Sequence, residues 1–291
     1  MNTPSRPRAT KIICTIGPAT DTSDMLGQLI EAGANVFRLN MSHSKHDWVR
    51  EVVFRIRRKA AELKANVAIL FDLQGPSIRT GDLLEPYHLK KGDTVEIRLG
   101  TAKPELPFST TVNYDGLLQD VQAGHTMVVD NGGILMRIAE VRPDRLICDV
   151  LTEGVFGSRR HINLPGVALR LPALTEKDLA DLAVAVECET DYVAMSFVRD
   201  AAHIAQLREH IDNLGGKAQI VAKIEDQQAV RHIDDIILAA DVIMVARGDL
   251  GIEVSIEELP IIQRRIVRHC HRLGRRCIVA THMLESMITQ P

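Results

Sequence analysis

Hydrophobic and polar positions alternate along this chain in two rhythms, and the switch between them sets out its organisation. KIICTIG at 11–17 predicts a strand, 22–32 a helix opened by Thr, Ser and Asp, and ANVFRLN at 34–40 a second strand. A longer helix at 45–63 then leads into the apolar run NVAILFDL at 66–73, a βαβαβ beginning. From about Gly81 to Asn163 the texture changes to short alternating segments such as TVEIRL, TMVVD, LMRIAEV and RLICDV, punctuated by Gly, Asp and Pro. That pattern predicts a small β-rich insertion. After LPG at 164–166 the first rhythm resumes, with helices at 176–187, 200–214, 226–238 and 256–273 between strands at 191–197, 219–223, 241–246 and 276–280.

The expected organisation is therefore α/β, in three stretches: 1–80, the insertion 81–163, and 164–291. Seven parallel strands are expected outside the insertion, and an eight-stranded barrel needs one more. Composition agrees with such a core. Hydrophobic residues make up 45% and aromatics only 3%, so Val, Ile, Leu and Ala must fill the interior.

A net charge of −3 without a long basic block argues against a nucleic-acid partner. No run of about eighteen apolar residues occurs and MNTPSRPRAT has no apolar core, so no membrane association and a cytoplasmic location are expected. The five cysteines, at 14, 148, 188, 270 and 277, lack CxxC or zinc-type spacing and read as reduced, mostly buried thiols.

The candidate chemistry lies at strand ends. VAKIED at 221–226 and IMVARGDLG at 243–251 bring out Lys223, Glu225, Arg247 and Asp249 where apolar strands finish. Two carboxylates on neighbouring strand ends can hold a divalent cation, and a lysine beside them suits chemistry on an anion. Ion-paired surface charges would look the same. FRLNMSHS at 37–44 offers Arg38 for a phosphate and gathers Asn40, Ser42 and His43, or is a solvated loop of Asx and Ser turns. FDLQGPSIRTG at 71–81 carries Asp72 and Arg79 around a Gly75-Pro76 turn that could be punctuation alone. Gly248 and Gly251 flank Asp249 where backbone amides can approach an anion; Thr281 could add a hydroxyl or cap a helix, and His282 reads as a loop residue. Arginines and a lysine around a carboxylate pair at five strand ends point to a site that handles phosphate.

In these residues the chain resembles the pyruvate kinase family, from KIICTIGPAT at 11–20 to ATHMLESMITQP at 280–291, with RLNMSHS, DLQGPSIRTG, INLPG, LPALTEKD, MSFVR, KIED, MVARGDLGIEV and THMLESM in order between. The resemblance implies a (β/α)8 TIM-type barrel, here with seven of its eight strands, and a small β-barrel lid domain inserted after the third. It implies phosphoryl transfer from phosphoenolpyruvate to ADP with Mg2+ or Mn2+, usually with K+, in a homo-oligomer when complete. By motif, Lys223 and Arg38 would meet the transferring phosphoryl group, Glu225 and Asp249 would hold Mg2+, and Gly248, Asp249 and Thr281 would seat the substrate carboxylate. Thr281 would also join the proton path to pyruvate. His43, Arg79 and Arg160 would line the nucleotide side, while Asn40, Ser42, Asp72 and the Leu73 carbonyl match the monovalent-cation site.

Three departures stand out. Ser77 replaces a frequent Glu or Lys at the position tied to K+ dependence, Arg160 replaces a common lysine, and His282 replaces the Gln of TQM. The chain also stops after the seventh strand, before the C-terminal domain usual in the family, so it is read as a fragment of a full enzyme whose unpaired strand edges lower its stability. An inactive truncated paralogue and a Mg-dependent aldolase of the same barrel group are the alternatives.

Overall fold

The computed structural model describes residues 9–281 and 285–289. In chain order, β1 (Ile13–Ile16), α1 (Ser23–Glu31), β2 (Val36–Asn40), α2 (His46–Glu62) and β3 (Ala68–Asp72) come first. β4 (Tyr87–Leu89), β5 (Thr94–Arg98), β6 (Ser109–Thr111), α3 (Leu117–Asp120), β7 (Thr126–Val129), β8 (Ile134–Val141), β9 (Arg145–Val150), β10 (Gly154–Phe156) and β11 (Ile162–Asn163) follow. The chain continues with α4 (Glu176–Glu187), β12 (Tyr192–Met195), α5 (Ala201–Asn213), β13 (Gln219–Ile224), α6 (Gln227–Arg231), α7 (Ile233–Ala239), β14 (Val242–Ala246), α8 (Arg247–Glu253), α9 (Leu259–Arg272) and β15 (Arg276–Ala280).

Seven strands form one sheet in the order β1-β2-β3-β12-β13-β14-β15, one strand fewer than a TIM-type barrel. β1 with β2, β2 with β3, β3 with β12, β12 with β13 and β14 with β15 all pair in parallel, as helical crossovers require. Among the described residues no helix is long and apolar enough to cross a membrane. By compactness the chain divides into two units: Met1–Gly75, Leu174–Ser196 and Ile204–Ala222 make the first, and Pro76–Ala173, Phe197–His203 and Lys223–Pro291 the second.

In the first unit β3, β12 and β13 as far as Ala222 are apolar on both faces, and Phe37, Leu39, Ile69, Phe71, Val193 and Ile220 are fully buried. α2 turns one stripe inward, Val49, Val52, Val53, Ile56 and Ala60, at helical spacing. Thr22 caps α1 by accepting from Met25 N at 3.3 Å. α4 begins with a capping box. Thr175 Oγ1 accepts from Asp178 N at 3.1 Å while the Asp178 carboxylate accepts from Thr175 N at 2.9 Å. The same buried carboxylate accepts from Gly75 N at 3.0 Å, tying the loop after β3 to the helix start.

In the second unit a six-stranded sheet runs β11-β7-β8-β9-β5-β6, and β10 pairs with β4. Ile97, Met127, Ile138, Leu146, Cys148 and Phe156 fill its core. Glu96, fully buried, accepts from Arg145 at 2.8 Å and from the Glu105 and Leu106 amides, so its charge is matched rather than stranded. Two details differ from the sequence expectation. The insertion contains the short helix α3, and the helix expected at 226–238 is two, α6 and α7, because the backbone at His232 leaves helical geometry (φ −99°, ψ 19°).

Candidate functional site

In the first unit, strand pairing decides which side chains meet. β2 buries Phe37 and Leu39 and leaves Arg38 and Asn40 half-buried between them. Register sets Arg38 opposite Thr15 of β1 and Asn40 opposite Asp72 of β3. Arg38 Nε accordingly donates to Asp72 Oδ2 at 2.6 Å and Nη1 to Thr15 Oγ1 at 2.9 Å, which holds the guanidinium at the strand ends with a quarter of its side chain exposed (25%). Asn40 Oδ1 accepts from Ser42 N at 3.2 Å, and Met41 N donates to Asp72 O at 2.9 Å. The Leu73 carbonyl accepts from Ser196 Oγ at 2.8 Å. His43 is exposed, and its backbone amide reaches Asn40 O at 3.4 Å.

In the second unit, Lys223 and Glu225 stand two residues apart at the end of β13. Lys223 Nζ lies 2.9 Å from Glu225 Oε1, and Phe197 N donates to Glu225 Oε2 at 2.6 Å. Glu225 is only 1% exposed. Its pKa is pushed up to about 7: burial raises it most, Lys223 opposes, and the negative charge of Asp249 adds to the rise. Repulsion of that kind is relieved by a proton or by a cation.

Asp249 lies in the first turn of α8, which leaves β14 directly. Gly248 N donates to Thr281 Oγ1 at 3.2 Å, and Arg247 grips the carbonyls of Ala280 and Thr281. A Cβ on Gly248 would sit 3.4 Å from that threonine oxygen, an ordinary van der Waals contact. Thr281 itself has φ 76°, a left-handed conformation costly for a β-branched residue.

Arg79 Nε donates to Ser77 Oγ at 3.3 Å and Nη1 to Arg159 O at 3.1 Å. Arg160 Nη1 reaches Asp130 Oδ1 at 3.2 Å, whereas its Nε is buried with no hydrogen-bond partner among the described residues. A cavity of about 310 Å3 opens beside Glu225, lined by Pro76, His161, Asn163, Phe197, Arg199 and Glu253 among others.

The first unit thus gathers Arg38, Asn40, Ser42, Asp72 and Leu73, and the second gathers Lys223 with Glu225 and Gly248 with Thr281. Arg160 Nη1 is held by Asp130. His282 lies outside the described residues, and among those described no group of three or more His, Cys, Asp or Glu is arranged to hold a metal ion.

Sequence reasoning missed His161 and Glu253. His161 bridges to Arg79, and its pKa is lowered by burial, with Asp249 opposing and Arg79 assisting. Glu253 is pushed up to about 7 by burial and by the charge of Asp226. The signals were present: Glu253 sits in the same GDLGIEV string as Asp249, and His161 directly precedes INLPG.

Parallel strands that end in fixed cations and a buried lysine–carboxylate pair, with a mostly antiparallel β sheet in the insertion, define a barrel-class α/β protein whose polar groups collect at strand ends. The chain belongs to the pyruvate kinase family. The family's sequence model, pyruvate kinase barrel domain, matches residues 7–291. The plastidial pyruvate kinase 2 of Arabidopsis thaliana is 41% identical over 291 residues, covering 99% of this chain and 50% of that protein. The pyruvate kinase of Clostridium perfringens is 40% identical, with 97% of this chain and 60% of that protein covered. That of Geobacillus stearothermophilus is 40% identical, with 98% and 49% covered. The chain spans about half the length of these relatives.

Proposed function

We propose that this chain carries the catalytic barrel of a pyruvate kinase, transferring phosphoryl from phosphoenolpyruvate to ADP. The observation that carries the reading is Lys223 Nζ held 2.9 Å from a buried carboxylate whose neighbour is a second carboxylate, Asp249. A cation positioned in a poorly solvated site stabilises charge that develops on a transferring phosphoryl group and on the enolate left behind. Arg38, oriented by Asp72 and Thr15, is the second such cation, and the quarter of its side chain left exposed is free to meet phosphate. The Gly248 and Asp249 amides and the Thr281 hydroxyl receive the substrate carboxylate, and Thr281 serves the proton transfer that yields pyruvate.

Glu225 and Asp249 fit Mg2+ or Mn2+, because hard oxygen donors that repel one another gain from a divalent cation between them. When bound, Mg2+ supplies charge neutralisation to the phosphoryl oxygens. Asn40, Ser42, Asp72 and the Leu73 carbonyl form an all-oxygen donor set in one unit, suited to K+. Ser77 brings no charge of its own, so K+ is expected to raise turnover.

Arg79, Arg160 and His43 take the nucleotide, a role supported by the Nε of Arg160, which has no hydrogen-bond partner among the described residues. The segment 81–163 is the lid, inserted between barrel segments 1–80 and 164–291. Five free cysteines suit the reducing cytoplasm, although one relative is named plastidial, and a homo-oligomer is the expected assembly of the complete enzyme.

The test is pyruvate formation from phosphoenolpyruvate and ADP with Mg2+, with and without K+. Lys223→Met should lower turnover at least about a hundredfold while the circular dichroism spectrum is kept. Equal turnover in the variant would remove Lys223 from the chemistry, and a well-folded chain with no turnover at all would favour a ligand-binding paralogue.

A further inference from the structure

Lys177 and Asp181 stand one turn apart on α4, and Lys177 Nζ donates to Asp181 Oδ2 at 2.6 Å. Asp181 is fully buried, and its other oxygen meets Nε2 of His46, the first residue of α2, at 2.7 Å. A carboxylate enclosed in this way is held in one place, and it holds the ammonium beside it. Lys177 Nζ has a second acceptor, Met41 O at 2.7 Å. All of these residues belong to the first unit.

The bond to Met41 lands on a particular peptide group. Met41 stands between Asn40 and Ser42, and its carbonyl shares a peptide plane with the amide of Ser42, pointing opposite to that N–H. Fixing the oxygen therefore fixes the direction of the N–H, which donates to Asn40 Oδ1 at 3.2 Å. From its other side, Met41 N donates to Asp72 O at 2.9 Å and ties the residue to β3.

We propose that Lys177, set by Asp181, is a positioning residue for the monovalent-cation site, holding Asn40 and Ser42 in place to receive K+. The inference rests on the reading of Asn40, Ser42, Asp72 and the Leu73 carbonyl as that site. A large monovalent cation gains little from any single oxygen, so its affinity depends on the oxygens being arranged before it arrives. The charge of Lys177 is matched by that of Asp181, so the loop is supported without a net positive charge that would repel the ion. Were the pair only a fastening between α4 and the loop, its loss would lower stability alike with and without K+.

The experiment follows thermal unfolding of the 291-residue chain by Trp48 fluorescence while KCl replaces tetramethylammonium chloride at constant ionic strength. The wild-type midpoint should rise with K+, and Lys177→Met should move the K+ concentration for half of that rise upward about tenfold or more. Glu187→Gln breaks the 2.8 Å ion pair between α4 and Arg50 of α2, away from Met41, and should leave that concentration unchanged. Should the single variant not fold, Lys177→Met combined with Asp181→Asn leaves no unmatched buried charge and should show the same shift. A lower midpoint that keeps the wild-type dependence on K+ overturns the positioning role and leaves the cation site standing. No K+-specific rise in the wild-type chain overturns the cation site itself, and the positioning role with it.

Discussion

Burial pushes the carboxyls of Glu225 and Glu253 up to about 7, against an ordinary value of 4.5. Between those two pH values the folded chain holds protons that the unfolded chain has released. Each such carboxyl therefore stabilises the fold at the acid end of the window, and the benefit is lost as pH rises through about 7, at up to about 1.4 kcal/mol per pH unit. Glu253→Gln should remove one share of that slope, read as a smaller difference between denaturant midpoints at about pH 5 and about pH 7. An unchanged slope would mean that Glu253 stays ionised. The same protonation opposes metal binding by Glu225, because a cation needs the ionised carboxylate. Calorimetric Mg2+ affinity should accordingly rise as pH passes through about 7, with proton release on binding that Glu225→Gln abolishes.

The start of α4 shows how one short element holds a loop from elsewhere in its unit. Asp178 accepts from Thr175 N and from Gly75 N while fully buried, so Asp178→Ala strands one buried and one partly buried amide and should cost about 2–3 kcal/mol in denaturant unfolding. Thr175→Ala removes one cap and should cost about 1 kcal/mol. Equal losses for the two variants would show that the Gly75 contact adds nothing. This helix start was legible in advance, because Thr175 stands three residues before Asp178 and ahead of an apolar stripe. The parallel strands were legible for a similar reason: runs such as Val242–Ala246 are apolar on both faces. What escaped depends on neighbours distant in sequence. The break at His232 is a backbone torsion within an unbroken helical pattern, and the pKa of His161 is set by burial and by Asp249, 88 positions further along. Of the candidate site, residue types and strand-end positions could be read directly. That Arg160 would turn to Asp130, and that Thr281 would adopt a left-handed backbone, could not.

The two compact units are not two successive lengths of chain. The polypeptide passes between them after Gly75, Ala173, Ser196, His203 and Ala222, and the last passage falls inside β13, between Ala222 and Lys223. A unit assembled from three separate segments cannot form from one contiguous stretch, and a strand divided between two units cannot melt in one and remain hydrogen-bonded in the other without fraying at Lys223. Unfolding should therefore be a single transition. Trp48, the one tryptophan, reports on the first unit, where its indole donates to Asp21 Oδ2 at 2.8 Å. Amide exchange in β8 and β9 reports on the second. The denaturant midpoint of Trp48 fluorescence should coincide with loss of protection in those strands. Midpoints clearly apart would mean that each set of segments carries a self-sufficient core, and that β13 yields at Lys223 first. In that case a bound metal or substrate at Lys223 and Glu225 should raise the midpoint of the second unit, since a ligand that binds only the folded unit adds its binding free energy to that step.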